Sequence, residues 1–332
     1  MQDPSLKSLL TSQQSNKREE EAGDGNIDIE KSVLPSLVSF LQKLDSELLK
    51  AFQNISHTKF EYLLRIRDEN KFLYLCDQVQ SFITAHFPNE HSKSARIAIL
   101  QLDHLYYKSD SLYSKFTKDE TTYIPTLDSK VLIEGLVRQI NLSGTSKMKV
   151  RAALQHAYHH ALHKRFHEGR DLLLKTHVGD SIHLQDIGSQ ILYNRAVTQI
   201  GLSAFKLGLI EESHDILVDI VQTLRLREIL AQGISRQIDK PIEQEKEELK
   251  RQIPYHMHIN LQLLDCVYMI SAMLLEIPNI AENQYLVNKR VISKNFKKLI
   301  DQYDTKAFQL APENYRDNIV YAAKQLNKSN WK

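Results

Sequence analysis

Glycine and proline are both scarce in this chain of 332 residues, which contains ten glycines and eight prolines. Both counts are well below the usual shares of about 7% and about 5%. Folds with many strands place these residues at their turns, so an all-β or loop-rich fold is disfavoured. The glycine-rich loops that hold nucleotide phosphates are also missing. The composition therefore predicts an all-α protein, and it indicates no cofactor.

Cysteine is scarcer still, since Cys76 and Cys266 are the only two and lie far apart inside helical patterns. Such cysteines are typical of reduced core residues in an intracellular protein. The N-terminus is polar and acidic and carries no apolar signal segment. Residues 259–277 are the most apolar run, but polar residues interrupt it, which favours a buried core helix over a membrane span. We expect a cytoplasmic protein that contacts no membrane.

The central stretch, residues 148–232, predicts two successive helical hairpins. Apolar residues recur three and four positions apart along 150–174 and again along 191–221. The two hairpins match each other at an offset of 43 residues, for example Ala161 with Ala204 and Phe166 with Leu209. A hairpin of two amphipathic helices buries its apolar faces only when neighbours stack on it. The pattern therefore predicts an array of stacked helix pairs.

Several segments of this region resemble a known family. They are YHHALH (158–163), GRDLLL (169–174), ILYNRA (191–196), QIGLSAF (199–205) and RQIPYHMHINLQLLDCVYMISAMLLEIP (251–278). Together they cover roughly a sixth of the chain and resemble the c subunit of eukaryotic translation initiation factor three, with a weaker likeness from about residue 33 to the end. The resemblance implies a scaffold of the PCI class with no catalytic residues.

The fold implied is a right-handed superhelix of stacked helical hairpins, similar to TPR or HEAT arrays, that forms the helical part of a PCI-type subunit. The winged helix that completes such a module in the family is absent here, so a fragment or a shortened member is expected. We predict a disordered acidic segment (1–31), an N-terminal helical region (32–145) and a helical-repeat region leading toward a PCI module (146–332). Residues 1–31 hold seven acidic and four basic side chains.

The function implied is that of a non-enzymatic scaffold in translation initiation. Its partners would be other subunits of the factor and the small ribosomal subunit with its RNA, in a hetero-oligomer. One alternative is a PCI-class scaffold of another assembly, such as the proteasome lid or the signalosome. Another, of a different class, is a metal-dependent hydrolase built on a histidine cluster.

That cluster consists of His156, His159, His160, His163 and His167, which share about a 100° sector of one helix. Pairs four residues apart suit two ligands of one metal ion. However, no HExxH glutamate and no nearby cysteine accompanies them. The sector lies opposite the apolar stripe, so we interpret it as the polar face of a packed or partner-facing helix.

Two further groups are candidates for function. Tyr255, His256 and His258 precede the apolar helix, where a catalytic pair of histidine with Asp265 is conceivable. A basic amphipathic helix is predicted over about 287–303. One face carries Arg290, Lys294, Lys297 and Lys298, and the apolar face carries Val291, Ile292, Phe296, Leu299 and Ile300. We predict that the four cations contact RNA phosphates or an acidic protein surface, or else form a solvated face.

Overall fold

A computed structural model describes residues 29–110, 128–223, 225–234, 241–283, 291–305, 311–328 and 330. The chain divides into two compact units, residues 1–39 and residues 40–332. All regular elements within the described ranges are helical, and none of those residues lies in a strand. The prediction of an all-α protein is therefore confirmed.

The first unit is described only over residues 29–39, which are helical and include Pro35. The predicted acidic segment falls almost entirely outside the described residues, as does the polar stretch 111–127. The boundaries proposed at 31 and 145 thus remain predictions, and so does the right-handed sense of the array.

The α-helices are numbered in chain order. They are α1 (Ile29–Asn54), α2 (Phe60–His86), α3 (His91–Leu105), α4 (Ser129–Ser143), α5 (Ser146–Leu162), α6 (Phe166–Thr176), α7 (Val178–Ser181), α8 (Ile187–Lys206), α9 (Ile210–Gln222), α10 (Leu226–Ile229), α11 (Ile242–Arg251), α12 (Leu261–Glu282), α13 (Lys294–Thr305) and α14 (Tyr315–Asn327). Short 3₁₀ turns cover Ile182–Leu184 and Tyr255–Met257.

The two predicted hairpins are α5–α6 and α8–α9, and each is closed by a turn of three residues. In the first turn the amide of Arg165 donates to the carbonyl of His160, and in the second Leu209 donates to Ala204. These are the six-to-one bonds of Schellman motifs. In these two turns the residues with positive φ are Lys164 (61°) and Gly208 (81°). Equivalent turn residues are therefore 44 apart, so the predicted offset of 43 was wrong by one residue.

Helix α5 is at the centre of the second unit, where it packs against α3, α4, α6 and α8. Small side chains permit the close approach of α5 and α8, because Ala157, Ala161 and Ala204 are all fully buried. Gly201 serves the same purpose between α8 and α9. A Cβ atom built there would lie 2.5 Å from the Leu217 Cδ2 atom. With helices on several sides, α5 has little surface left for solvent.

Helix α12 is the long apolar helix, and its bounds differ from those predicted. It begins at Leu261, where the Asn260 Oδ1 atom accepts from the amides of Gln262 (3.0 Å) and Leu263 (3.2 Å). It also continues through Pro278 to Glu282 rather than stopping before the proline. Proline removes one amide donor to the carbonyl of residue 274. Leu274 is on an exposed side of the helix, where water can solvate that carbonyl.

By length and composition alone, residues 255–282 could cross a membrane. In the fold, α12 packs against α8, α9, α13 and α14, and half of its most apolar window is buried inside the protein. Its two buried acidic residues, Asp265 and Glu276, both have partners within the chain. The helix thus packs as the core helix that the sequence predicted.

The second unit also closes on itself over long distances in sequence. The Gln53 Nε2 atom donates to the carbonyls of Lys250 (3.0 Å) and Gln252 (2.9 Å). The Tyr62 hydroxyl contacts the His256 Nδ1 atom at 2.8 Å. Contacts between α1 or α2 and residues 250–256 therefore join parts of the chain almost 200 residues apart.

Candidate functional site

The basic helix of the sequence analysis is α13, which starts at Lys294 instead of about residue 287. Arg290 lies outside the described residues. The Ser293 hydroxyl caps the helix by accepting from the amide of Phe296 at 3.4 Å. Residues 291–293 are not helical. These residues therefore interrupt the predicted helix before the three lysines.

A buried carboxylate holds the start of α13 in place. The Glu276 Oε2 atom, on α12, accepts from the amides of Ile292 (2.9 Å) and Ser293 (3.3 Å). The Tyr268 hydroxyl lies 3.3 Å from the Ser293 hydroxyl. Sequence reasoning noted Glu276 only as an interruption of an apolar run. A glutamate on the inner face of a core helix is nevertheless a signal that a donor lies close by.

The lysines Lys294, Lys297 and Lys298 are exposed on one face of α13, while Phe296 is fully buried on the other. None of the three forms an ion pair within the described part of the chain. Positive charge near a helix N-terminus is unfavourable because of the helix dipole. The face thus carries a charge cluster that does not stabilise its own helix. Ile292, which was predicted for the apolar face, is 41% exposed because it precedes the helix.

Three histidines of α5, together with His163 directly after the helix, form two pairs whose rings are tilted against each other. The ring centroids of His156 and His160 lie 4.2 Å apart, and those of His159 and His163 lie 4.1 Å apart. The partners lie on α4 and α6 and in the turn between α5 and α6. Glu168 is 3.1 Å from the His160 Nδ1 atom, and Arg165 is 3.4 Å from the His159 Nδ1 atom.

Two of these histidines lie on a packed side of the helix, which is one of the two alternatives that the sequence left open. His159 is 0% exposed and His160 is 5% exposed, because α4 and α6 cover that side of the helix. Burial lowers the pKa of His159 to about 2 and that of His160 to about 4, and neighbouring cations and histidines add to the effect. His167, by contrast, is exposed.

The described residues hold no group of three or more metal-binding side chains arranged around one point. The structure also separates the conceivable catalytic pair. Asp265 accepts from the Tyr315 hydroxyl at 2.6 Å and from the Arg316 Nε atom at 2.7 Å. His256 contacts Tyr62 instead, and His258 contacts the carbonyl of Ile253. Asp265 is therefore part of an α12–α14 contact and is not oriented by a histidine.

A buried charge network that the sequence did not reveal connects α1, α2 and α3. The two ring nitrogens of His104 lie 2.8 Å from Asp45 and 2.9 Å from Glu69. Burial alone would lower the pKa of His104, but the two carboxylates raise it to about 9. Likewise burial would raise the pKa of Glu69, but Lys108 and His104 hold it at about 2. The network is charged at neutral pH and positions these helices.

Comparison with known families decides the relationship of the chain. The model of the family described as "Eukaryotic translation initiation factor 3 subunit 8 N-terminus" matches residues 6–287. The chain belongs to this family. The resemblance seen in the central segments is therefore confirmed, and with it membership of a family of translation initiation factor subunits.

Individual relatives agree with the family assignment. The chain is 38% identical to the C subunit of eukaryotic translation initiation factor 3 from Mycosarcoma maydis, over 91% of this chain and 36% of the relative. It is 38% identical to the protein of the same name from Culex quinquefasciatus, over 89% and 33%. For Drosophila melanogaster the identity is 36%, over 88% and 32%. The chain thus spans about a third of the length of these relatives.

Proposed function

We propose that this chain is the helical part of a non-enzymatic scaffold subunit of eukaryotic translation initiation factor three. It holds partner subunits in a cytoplasmic hetero-oligomer and helps the factor to dock on the small ribosomal subunit. The observation that carries the proposal is the family match over residues 6–287. This match favours the initiation factor over the proteasome lid and the signalosome. The stacked helix pairs support it, since such arrays present extended surfaces to partners.

We assign docking to the lysine face of α13, with Arg290 as a fourth cation from the preceding residues. The described lysines have no acidic partner within the described ranges, and their apolar side is fixed by Phe296 and by the Glu276 contacts. A rigid cluster of positive charge suits phosphate groups at the surface of ribosomal RNA. The face offers no aromatic platform, so base-specific binding is not part of the proposal.

The test replaces Arg290, Lys294, Lys297 and Lys298 with glutamine, which keeps helix propensity nearly unchanged. We expect unchanged circular dichroism and weaker co-sedimentation with purified small ribosomal subunits. The log–log dependence of binding on salt should become shallower by up to about 0.9 for each lost phosphate contact on duplex RNA. A variant that replaces only the three lysines and retains Arg290 measures how much Arg290 contributes to binding.

The matched control replaces the exposed Lys149, Lys175 and Lys206 with glutamine, which removes three charges from other helices. If the control variant loses as much binding as the α13 variant, non-specific charge explains the effect and α13 is not the docking face. Affinity purification of the full-length protein tests the scaffold function itself. Failure to recover other subunits of the factor would contradict it.

A further inference from the structure

A cavity of about 240 Å³ opens between α1, α5, α8 and the segment 250–257. Its walls are partly apolar, with Leu49, Phe52, Leu192 and Met257 among the lining residues. At a liquid volume of about 30 Å³ for each water molecule, this is room for roughly eight waters. The space is therefore large enough for one or two side chains of another molecule.

The charged residues in the lining fall into two groups. Each of the three carboxylates already has a cation: Asp45 lies 2.8 Å from His104, Asp103 lies 3.0 Å from Arg151, and Asp186 lies 3.3 Å from Lys147. The carboxylates of the cavity are therefore already neutralised. They leave no negative charge for the remaining cations of the lining, which include Arg195 and Lys250.

Arg195, on α8, is the exceptional member of the lining because it is 0% exposed. Its Nη2 atom donates to the carbonyl of Met257 at 2.6 Å, and its guanidinium lies 5.7 Å from the Tyr158 ring centroid. Its Nε and Nη1 atoms form no hydrogen bond of ordinary geometry with a described residue, although the guanidinium interacts with the hydroxyls of Tyr106 and Tyr158. No carboxylate pairs with it among the described residues. Burial of a cation without a counter-ion is strongly unfavourable.

The chemistry of the cavity favours one kind of occupant. A buried guanidinium without a carboxylate partner matches a planar carboxylate. The exposed Lys250 at the same cavity adds a second cation. The apolar part of the wall suits an aliphatic neighbour of the carboxylate.

We propose that this cavity binds an acidic side chain, together with an adjacent apolar side chain, from an extended segment of a partner protein. Arg195 neutralises the carboxylate from the cavity wall, and Lys250 attracts it at the exposed end of α11. The proposal uses none of the α13 lysines, and it is tested on this chain alone. It can therefore fail or succeed independently of docking on the ribosome.

The probe is the capped dipeptide acetyl-Leu-Asp-amide, and acetyl-Leu-Asn-amide is its uncharged control. Binding is followed by nuclear magnetic resonance of the arginine Nε–H groups at constant ionic strength, with Arg195→Met used to assign the Arg195 signal. We expect a saturable shift of that signal with the aspartyl peptide. The asparaginyl peptide should bind about ten- to a hundredfold more weakly, as expected when a charge-assisted hydrogen bond is lost.

Two variants complete the experiment. Arg195→Met should remain folded, with a melting temperature equal to or above that of the wild type, because it removes an uncompensated buried charge. It should also bind the aspartyl peptide much more weakly, with only the contribution of Lys250 left to distinguish the two peptides. Lys250→Gln should weaken binding of the aspartyl peptide several-fold and leave the melting temperature unchanged.

The proposal is overturned if the Arg195 signal does not move with the aspartyl peptide, or if both peptides shift it equally. Inorganic phosphate is titrated in parallel. If phosphate binds more tightly than the aspartyl peptide and needs Arg195, the site serves a phosphate group and the proposed occupant is wrong. Unfolding of Arg195→Met, with no peptide effect on the wild type, would make Arg195 a structural residue only.

Discussion

The hairpins α5–α6 and α8–α9 share their turn geometry and differ in what they bury. Each turn has three residues, a six-to-one hydrogen bond and one residue with positive φ. In the first hairpin the buried polar residues include His159 and His160, whereas in the second they include Thr198 and Ser213. The comparison shows that both hairpins have the same turn geometry and small residues at their helix contacts. The types of polar residue that they bury differ.

The buried hydroxyl groups and the buried imidazole rings differ in how fully their polar atoms form hydrogen bonds. The Thr198 hydroxyl donates to the carbonyl of Asn194 at 2.7 Å, and the Ser213 hydroxyl donates to that of Gly201 at 3.0 Å. The Nε2 atoms of His156 and His159 are buried without a hydrogen-bond partner among the described residues. The second hairpin also buries one histidine, His214. A hydroxyl does not titrate, but an imidazole does, and burial lowers the pKa of both His159 and His160, so the first hairpin should lose stability in acid.

The largest expected effect is therefore loss of stability in acid. The lowered pKa values of His159 and His160 mean that the folded state stays neutral while the unfolded state, with a pKa near 6.5, takes up protons. Below pH 6.5 each histidine should cost about 1.4 kcal/mol of unfolding free energy per pH unit. His256, with a pKa lowered to about 4 by burial, adds to this loss. His104 does not add, because its pKa is raised to about 9 in the folded state, so its contribution to stability grows as the pH falls toward 6.5 and is constant below that.

The measurement is urea unfolding between pH 7 and pH 5 for the wild type and for His159→Gln/His160→Gln. The double variant should lose less stability over this range, because two protons fewer are taken up on unfolding. His177→Gln is the control, since His177 is exposed and its removal should leave the pH dependence unchanged. Parallel curves for the wild type and the double variant would contradict the assignment.

A second prediction tests whether small residues really define the hairpin contact. Ala204→Trp should overpack the contact of α8 with α5 and lower the unfolding free energy by about 1–3 kcal/mol or more, because Ala204 is 0% exposed. Ala85→Trp, at an exposed position of α2, is the matched control and should have little effect. A melting temperature unchanged in Ala204→Trp would count against the hairpin packing.

The smallest expected effect concerns the turns themselves. Lys164 has a φ of 61°, which costs a residue with a side chain about 1 kcal/mol, whereas Gly208 has a φ of 81° at little cost. Lys164→Gly should therefore stabilise the protein by about 1 kcal/mol, and Gly208→Lys should destabilise it by a similar amount. Chemical denaturation of the two single variants and of the double variant measures the change in unfolding free energy at each turn. Changes of the same sign would show that the turns are not equivalent.

The sequence predicted the parts of the fold that repeat locally. The three- and four-residue spacing located the paired helices, and the similar turns were found with an error of one residue. The alanines 161 and 204 gave the offset of 43, but they mark a contact between α5 and α8 instead of equivalent positions. Hydrogen bonds at the turns give the true offset, and they are not visible in residue types.

The sequence could not predict which residues are buried on the more polar faces of the helices, because that depends on which helices pack against each other. Histidines on α5 indicate an exposed face only if no helix covers them, and α4 and α6 do. The same reason explains Glu276 and Arg195, whose partners are distant in sequence. Of the candidate site, the lysines of α13 were found by spacing alone, but the start of the helix depends on Ser293 and on a carboxylate from α12.

The contacts of Gln53 and Tyr62 with residues 250–256 have a consequence for folding. In a simple repeat array each unit touches only its neighbours, so its ends can unravel separately and folding can begin anywhere. Here a loop of almost 200 residues must close before Tyr62 can meet His256. Closure of such a loop raises the contact order, which slows folding, and it links the early helices to the late ones in one cooperative transition. A chain emerging from the ribosome therefore cannot complete this unit until residue 256 has been synthesised.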